Sequence, residues 1–475
     1  MKKNISSGFV VTLIIAITAV FTSCKKDFLD EPKPSSSVSS TDVYASDAGV
    51  RSFFSGLYRV MRVQYGSSTD AWGIASVNLS REARGLDLAL NGNWYNFDYL
   101  HDNREPTYRR TSFTWTYFYD FINQANNLID GVEKSSLSEA SKTAFSAEAR
   151  AMRAWCYFEL VREFSQAYVK DPNSPGVPLY TTPTTAQTSG NARAKLSEVY
   201  DLIISDLTFA AANLGTARQL KDVINKNVAN GLLARVCLEK GDYANAKTAA
   251  VAARTGYNLT VTDYNTPFTS VDKTEVIWGF PQASDQTIYY GTPSAFWGAS
   301  GTGYFNFFID SNFVNTFRST DVRAKTFTRT TAADFRKYRS NKFGTTTNFS
   351  DHIIMMRASE MYLIEAEAKA RLGEADAGTF LYTLQKNRDG SATASENTGQ
   401  NLLNEILLER RKELYGEIGV SFLDIKRLNL PLIRSNGHPV SGRLNIPAGS
   451  NIFTLKIPQS EFDANKSLAA SDQNP

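Results

Sequence analysis

Cys24 ends the run Phe21-Thr22-Ser23-Cys24, which sits where a lipoprotein signal peptide carries its acylated cysteine. Two lysines open the chain, and an apolar run of about 13 residues follows from Phe9 to Phe21. A membrane-spanning helix needs about 20 such residues, so this run reads as a secretory signal and not as a permanent anchor. Phe21 stands where a lipobox more commonly has Leu. The predicted chemistry is acylation of the Cys24 thiol after removal of residues 1–23. The alternative is an ordinary signal peptide with a chance cysteine. One acyl chain holds a protein to a bilayer marginally and two or more hold it stably, so a lipidated Cys24 would tether the chain to a membrane surface.

Other reactive side chains are sparse. Besides Cys24 there are Cys156 and Cys237, each in an apolar helical pattern where a buried free thiol is expected. The three histidines, His101, His352 and His438, share no metal-ligand spacing, and no EF-hand, GxSxG, P-loop or dinucleotide-binding glycine pattern occurs. The sequence therefore predicts no catalytic residue, no metal and no cofactor. With 51 Lys and Arg against 48 Asp and Glu, it also gives no electrostatic case for nucleic acid.

Two loop regions combine aromatic rings with amides and glycines. One holds Asp70, Trp72, Asn78, Arg81, Asn93, Trp94 and Tyr95. The other holds Gln286, Tyr289, Tyr290, Phe296, Trp297, Tyr304 and Asn306. Such loops suit binding. Large aromatics are usually at least partly buried, so packing is the competing role for each. Trp297, Tyr290 and Trp72 are favoured as exposed because small residues flank them. Trp155 sits in an apolar helical stripe and reads as core. The charged run Glu409-Arg410-Arg411-Lys412-Glu413, like Glu365 and Glu367, reads as a solvated or salt-bridged helix face.

Helices must position these loops. Periodic apolar residues predict a helix over 118–129, a second from Leu137 to Phe164 capped by Ser138, a third over 196–214 and a fourth over 227–240. Alanines at 234, 246 and 250, with Gly241 at a bend, give residues 231–257 the pattern of a tetratricopeptide hairpin. Ala366, Ala370, Gly373 and Ala377 repeat it at 361–388, and residues 400–428 supply a further pair. The predicted fold is mostly α, a scaffold of about four such hairpins with large irregular excursions and a few short strands, one at 274–280. The organisation reads as tether 24–41, helical part 42–257, and a C-terminal part 258–475 that includes a loop-rich insertion at 258–350.

Six segments in order resemble the SusD/RagB family of outer-membrane lipoproteins of Bacteroidetes. They are FYDFINQANNLI, AEARAMRAWCYFELVREFSQAY, GVPLYTTP with the following LSEVYDLIISDLTFAAANL, IIMMRASEMYLIEAEAKARLG, ILLERRKELYGEIGVSFLDIKRLNL, and the closing LKIPQSEFDANKSLAASDQNP. YGEIGVSF stands where the family more commonly has F-E-G-x-R-F. The resemblance implies a non-catalytic glycan-binding protein, lipid-anchored at the cell surface and seated on a TonB-dependent, SusC-like barrel. It further implies ligand contacts in the two aromatic loop regions, which makes Asp70, Trp72, Asn78, Trp94, Tyr95, Tyr289, Tyr290, Trp297 and Tyr304 the candidates. A sugar ring offers C–H bonds to an aromatic face and hydroxyls to nearby amides. A surface glycoside hydrolase, which needs two well-placed carboxylates, and a helical-repeat interaction module are the alternatives.

Overall fold

A computed structural model describes residues 40–475 except 64, 66–67, 69, 103–104, 287–288, 299–301 and 345–347. The signal peptide read at 1–23, Cys24 and the tether as far as residue 39 lie outside the described residues, as does the Tyr289 side chain. Among the described residues no helix is long and apolar enough to cross a membrane.

The long helices are α1 (Asp47–Arg62), α2 (Ile74–Arg84), α3 (Arg109–Glu133), α4 (Glu139–Phe164), α5 (Leu196–Asn213), α6 (Lys226–Lys240), α7 (Tyr243–Arg254), α8 (Ala358–Arg371), α9 (Ala377–Arg388), α10 (Gly399–Leu414) and α11 (Val420–Arg427). Their ends follow local chemistry. Ser138 accepts the Ser141 N–H at the start of α4, and Asn225 and Asp242 do the same for α6 and α7. Gly241 closes α6 in the left-handed region at φ 83°, which permits the tight bend into α7.

From α3 onward the helices form one continuous stack: α3 on α4, α4 on α5, α5 on α6, α6 on α7, α7 on α8, and α8 on both α9 and α10. The mostly α, tetratricopeptide-like scaffold is thus the fold. Ala234, Ala246, Ala250 and Ala366 are fully buried, which lets the helices approach closely. The two alanine-rich hairpins, separated by a hundred residues of sequence, are neighbours in space, because α7 packs on α8 and the intervening insertion loops out.

Two helices lie outside the predicted set. α1 carries the spacing of an amphipathic helix, its buried Val50, Phe54, Leu57, Tyr58 and Met61 recurring every three or four residues. α2 fills part of the region read as loop, and every one of its residues is buried. Its sequence mixes apolar residues with Ser76, Asn78, Arg81, Glu82 and Arg84, which are buried and bonded inside the protein, so its polar residues do not mark a solvent face. α3 also begins nine residues earlier than 118, its first turns built from the buried aromatics Phe113, Trp115 and Tyr117.

Eight of the short strands are β1 (Leu88–Leu90), β2 (Pro175–Pro178), β3 (Arg193–Lys195), β4 (Val276–Phe280), β5 (Phe307–Ile309), β6 (Phe327–Arg329), β7 (Tyr338–Ser340) and β8 (Ile353–Arg357). β4 lies within the predicted 274–280 and pairs antiparallel with β8. The sheet β1-β5-β7-β6 joins the two aromatic regions: Leu88 lies opposite Ile309 and Leu90 opposite Phe307. One large core runs from Val50 to Ile457, with Trp155 and Trp278 edge to face at 5.1 Å. A second, aromatic core holds Tyr95, Phe296, Trp297, Phe307, Phe343 and Tyr415 beneath the joined loops. Cys156 and Cys237 are free and buried, and burial pushes the Cys237 thiol up to about 12.

Candidate binding site

The loop aromatics divide into two layers. The inner layer is packed. Trp297, expected to be exposed, is 1% exposed and meets Phe307 edge-on at 5.2 Å. Trp72 is 6% exposed, and its ring fills the space where a side chain at Gly291 would otherwise go. Tyr95 is buried against Phe296 at 5.2 Å, with the Arg110 guanidinium 5.3 Å from its ring. Small flanking residues misled the expectation for Trp297 and Trp72. The partners that cover them come from segments distant in sequence, and the flanking glycines let those segments approach.

The polar candidates of the first loop region are structural as well. Asp70 accepts from Arg109 Nε at 2.8 Å and from the Ser68 hydroxyl at 2.6 Å. Burial works against its ionisation, but Arg110 and Arg109 together hold the carboxyl below its ordinary range. Asn78 is buried on α2, with its amide 3.5 Å from the Met355 sulfur. Arg81 forms ion pairs with Glu159 and Glu163, at 2.5 and 2.6 Å.

The outer layer is different. Tyr290 is 38% exposed, and Trp94, Tyr304 and Phe349 are half-buried. Their rings form a row: Trp94 to Tyr304 at 5.5 Å, Tyr304 to Tyr290 at 5.2 Å, and Tyr290 to Phe349 at 4.9 Å. All three contacts are tilted, so the rings do not cover one another's faces. Exposed Asn93 and Asn348 adjoin the two ends of the row in sequence. Phe349 was not singled out from the sequence, although Asn348 and Ser350 flank it in a loop, the same signal that marked the others.

The backbone beneath the row is held in unusual conformations. Tyr95, Phe305 and Phe349 adopt positive φ of 63°, 47° and 57°. Such strain in non-glycine residues persists only where surrounding contacts over-determine it. Those contacts are present. Arg339 donates to the carbonyls of Phe305 at 2.7 Å and Gly298 at 3.2 Å. Asn306 donates to the Trp94 carbonyl at 3.1 Å. The Ser294 hydroxyl donates to Asp351, two residues after Phe349.

Below this region lies a buried ionic hub that joins the insertion to the helical stack. Glu413 on α10 accepts from Arg323, Arg357 and Arg388. Lys342 donates to the Glu413 and Tyr415 carbonyls at 3.1 and 2.8 Å and to Glu417 at 2.6 Å. Glu275 pairs with Arg357 and Arg388. The charged run at 409–413 is therefore salt-bridged, as expected, with Glu409, Arg410 and Glu413 buried and not solvated. Glu365 and Glu367 are likewise structural, paired with Arg254 and Arg427.

Three carboxylates of the first aromatic region, Asp70, Glu82 and Asp87, are committed to partners. Asp70 is held by Arg109 and Asp87 by Arg411. Glu82 accepts the Gly419 N–H at 2.7 Å, and burial pushes its carboxyl up to about 8. No group of histidine, cysteine and carboxylate side chains suited to a metal occurs among the described residues.

Comparison with known proteins gives a consistent result. A family model described as starch-binding, associating with the outer membrane, matches residues 27–238, and a second, described as the SusD family, matches residues 274–475. A SusD-like protein of Bacteroides ovatus is 28% identical over 246 residues, a match spanning 50% of this chain and 40% of that relative's length. The crystal structure of a SusD-like carbohydrate binding protein from Bacteroides vulgatus superposes with a TM-score of 0.82 at 26% identity, covering 91% of this chain and 99% of the other. Surface glycan-binding protein A from Bacteroides fluxus has the same fold, with a TM-score of 0.71 at 18% identity over 91% of this chain and 99% of the other.

Proposed function

Because the chain belongs to the SusD family, matched by that family's models over both of its halves, we propose that it captures oligo- or polysaccharide at the cell surface and passes it to a TonB-dependent, SusC-like outer-membrane barrel. A lipid on Cys24 is the proposed anchor. The observation that carries glycan capture is the row Trp94, Tyr304, Tyr290 and Phe349, which spaces its rings about 5 Å apart on a strained, cross-braced backbone. Sugar C–H faces stack on such rings, and amide side chains at the rim select among hydroxyl patterns. Rigid preparation of the row lowers the entropy lost on binding. The proposed ligand-contacting set is thereby narrowed to Trp94, Tyr290, Tyr304 and Phe349. Trp72, Tyr95 and Trp297 support the row from below.

Binding is favoured over hydrolysis because Asp70, Glu82 and Asp87 of the first aromatic region are taken up in ion pairs or by a backbone N–H. The test is affinity electrophoresis of the soluble form starting after Cys24 through gels containing candidate polysaccharides, alongside an assay for new reducing ends. The expected result is retardation by at least one polysaccharide, lost in Tyr290→Ala and in Trp94→Ala, with no new reducing ends. Sustained release of reducing ends, or retention unchanged in both variants, would overturn the reading. Radiolabelled palmitate should enter the full-length protein and not Cys24→Ala.

A further inference from the structure

A separate cleft of about 270 Å³ opens beside α3. It lies between Tyr119, Asp120 and Asn123 of α3, the loop that begins at Tyr180, and Glu461 and Asn465 near the C-terminus. None of the four rings of the aromatic row lines it.

Its rim is fixed before any ligand arrives. Asn123 clasps the Thr184 backbone from both sides, accepting its N–H at 2.8 Å and donating to its carbonyl at 3.3 Å. Tyr180 Oη accepts the Asn191 N–H at 3.0 Å, and Asn465 donates to the Asn191 carbonyl at 2.8 Å. The loop is packed so closely on Asn465 that a side chain at Gly190 would collide with it. The Tyr119 and Tyr180 rings meet edge to face at 5.9 Å and form the aromatic wall.

Among the described residues the carboxylates of the cleft are bonded to neutral donors. Among the described residues Asp120 accepts from the Tyr65 hydroxyl alone, and partial burial raises its pKa with no described cation opposing the shift. Glu461 accepts from Trp115 Nε1 at 3.1 Å and from Asn465 Nδ2 at 2.8 Å. Among the described residues neither carboxylate forms an ion pair. By contrast, Glu148, Glu159 and Asp206 on the neighbouring α4 and α5 each face an arginine. Arg193, a cation near Tyr119, is taken up by the Gly176, Pro175 and Asp472 carbonyls.

We propose that this cleft binds a primary ammonium group carried on a small polar ligand, held between the Asp120 and Glu461 carboxylates against the Tyr119 and Tyr180 rings. Both elements favour that ligand: carboxylates accept charge-assisted hydrogen bonds from an ammonium, and tyrosine rings attract cations. Two sources carry this chemistry, an amino sugar with a free amine and a lysine side chain of a peptide. The inference does not depend on glycan capture by the aromatic row.

Trp115 supplies a local reporter, because its indole N–H is bonded to Glu461. The full soluble chain, labelled with 15N-tryptophan, is titrated separately with glucosamine, N-acetyl-lysine methylamide, glucose and N-acetylglucosamine. The Trp115 indole resonance, assigned with Trp115→Phe, is expected to move with an ammonium probe and to stay fixed with the two neutral sugars. The relative affinity of the two ammonium probes then identifies the source. Asp120→Asn, at an exposed position, should weaken binding about tenfold, the loss expected for one hydrogen bond to a charged group. Polysaccharide retention by the aromatic row should be unchanged in that variant. Equal shifts with neutral sugars, no shift with either ammonium probe, or undiminished binding by Asp120→Asn would overturn the proposal.

Discussion

Replacing Glu413 by Gln removes one charge, almost without a change of shape, from the hub that fastens the insertion to the helical stack. Glu413 Oε1 accepts from Arg357 Nη1 at 2.7 Å, Arg388 Nη2 at 2.9 Å and Tyr264 Oη at 2.9 Å. Its Oε2 accepts from Arg323 Nη1 at 3.0 Å and Arg388 Nε at 3.1 Å. The side chains of Glu413, Arg357 and Arg388 are all 0% exposed, so water cannot take over these bonds. Burial alone would raise the carboxyl's pKa, but the three guanidinium groups outweigh it and hold the group well below its ordinary range. In Gln the second oxygen becomes an amide donor facing N–H donors, and three buried guanidiniums share one fewer carboxylate. Breaking a buried pair from one side costs about 3–5 kcal/mol, a large part of the roughly 5–15 kcal/mol that holds a typical domain folded. Urea denaturation at pH 7, followed by circular dichroism and tryptophan fluorescence, should show a loss in this range. Because the folded pKa is depressed, the wild-type advantage is complete above the unfolded carboxyl's pKa and fades as pH falls through the folded value. The gap between the proteins should therefore hold from pH 7 to 5 and narrow in stronger acid. A loss under about 1 kcal/mol, or a gap indifferent to acid, would refute the account of the hub as a mutually compensated charge network.

Two further predictions separate supporting residues from contacting ones. Trp297→Ala should cost about 3–5 kcal/mol of stability, as for a large aromatic deleted from a core, whereas Tyr290→Ala at the partly exposed position should cost about 1 kcal/mol, read by thermal or urea unfolding. Equal losses would mean that the two layers are not distinct. Glu82 has its folded pKa raised to about 8, so between the unfolded carboxyl value and that pH the folded state holds a proton that the unfolded state has released. Its contribution to stability therefore falls as pH rises, by about 1.4 kcal/mol per pH unit, and Glu82→Gln should flatten the stability profile between pH 5 and 8. An unchanged slope would show that Glu82 is ionised in the fold.

The helical scaffold was legible in the sequence because its signals are local. Ser138 caps α4, Gly241 bends α6 into α7, and the alanines at 234, 246, 250 and 366 announce closely packed helices. Each of these depends on residues within a few turns of one another, which periodicity and capping rules can read. Ordered family motifs extended that reading to the fold as a whole. Which aromatic ring is buried depends instead on what arrives from elsewhere in the chain. Trp297 and Tyr290 have similar neighbours in sequence, yet Phe307, Phe343 and Tyr415 enclose the first, while the second stays at the surface beside Tyr304 and Phe349. The pairing of β1 with β5, which unites residues 88–90 with 307–309, leaves no trace in either segment alone. The sequence by itself determined the scaffold and the stock of aromatic and amide side chains. The tertiary structure alone decided which rings face outward, because exposure is a property of the contacts that long-range packing closes or leaves open.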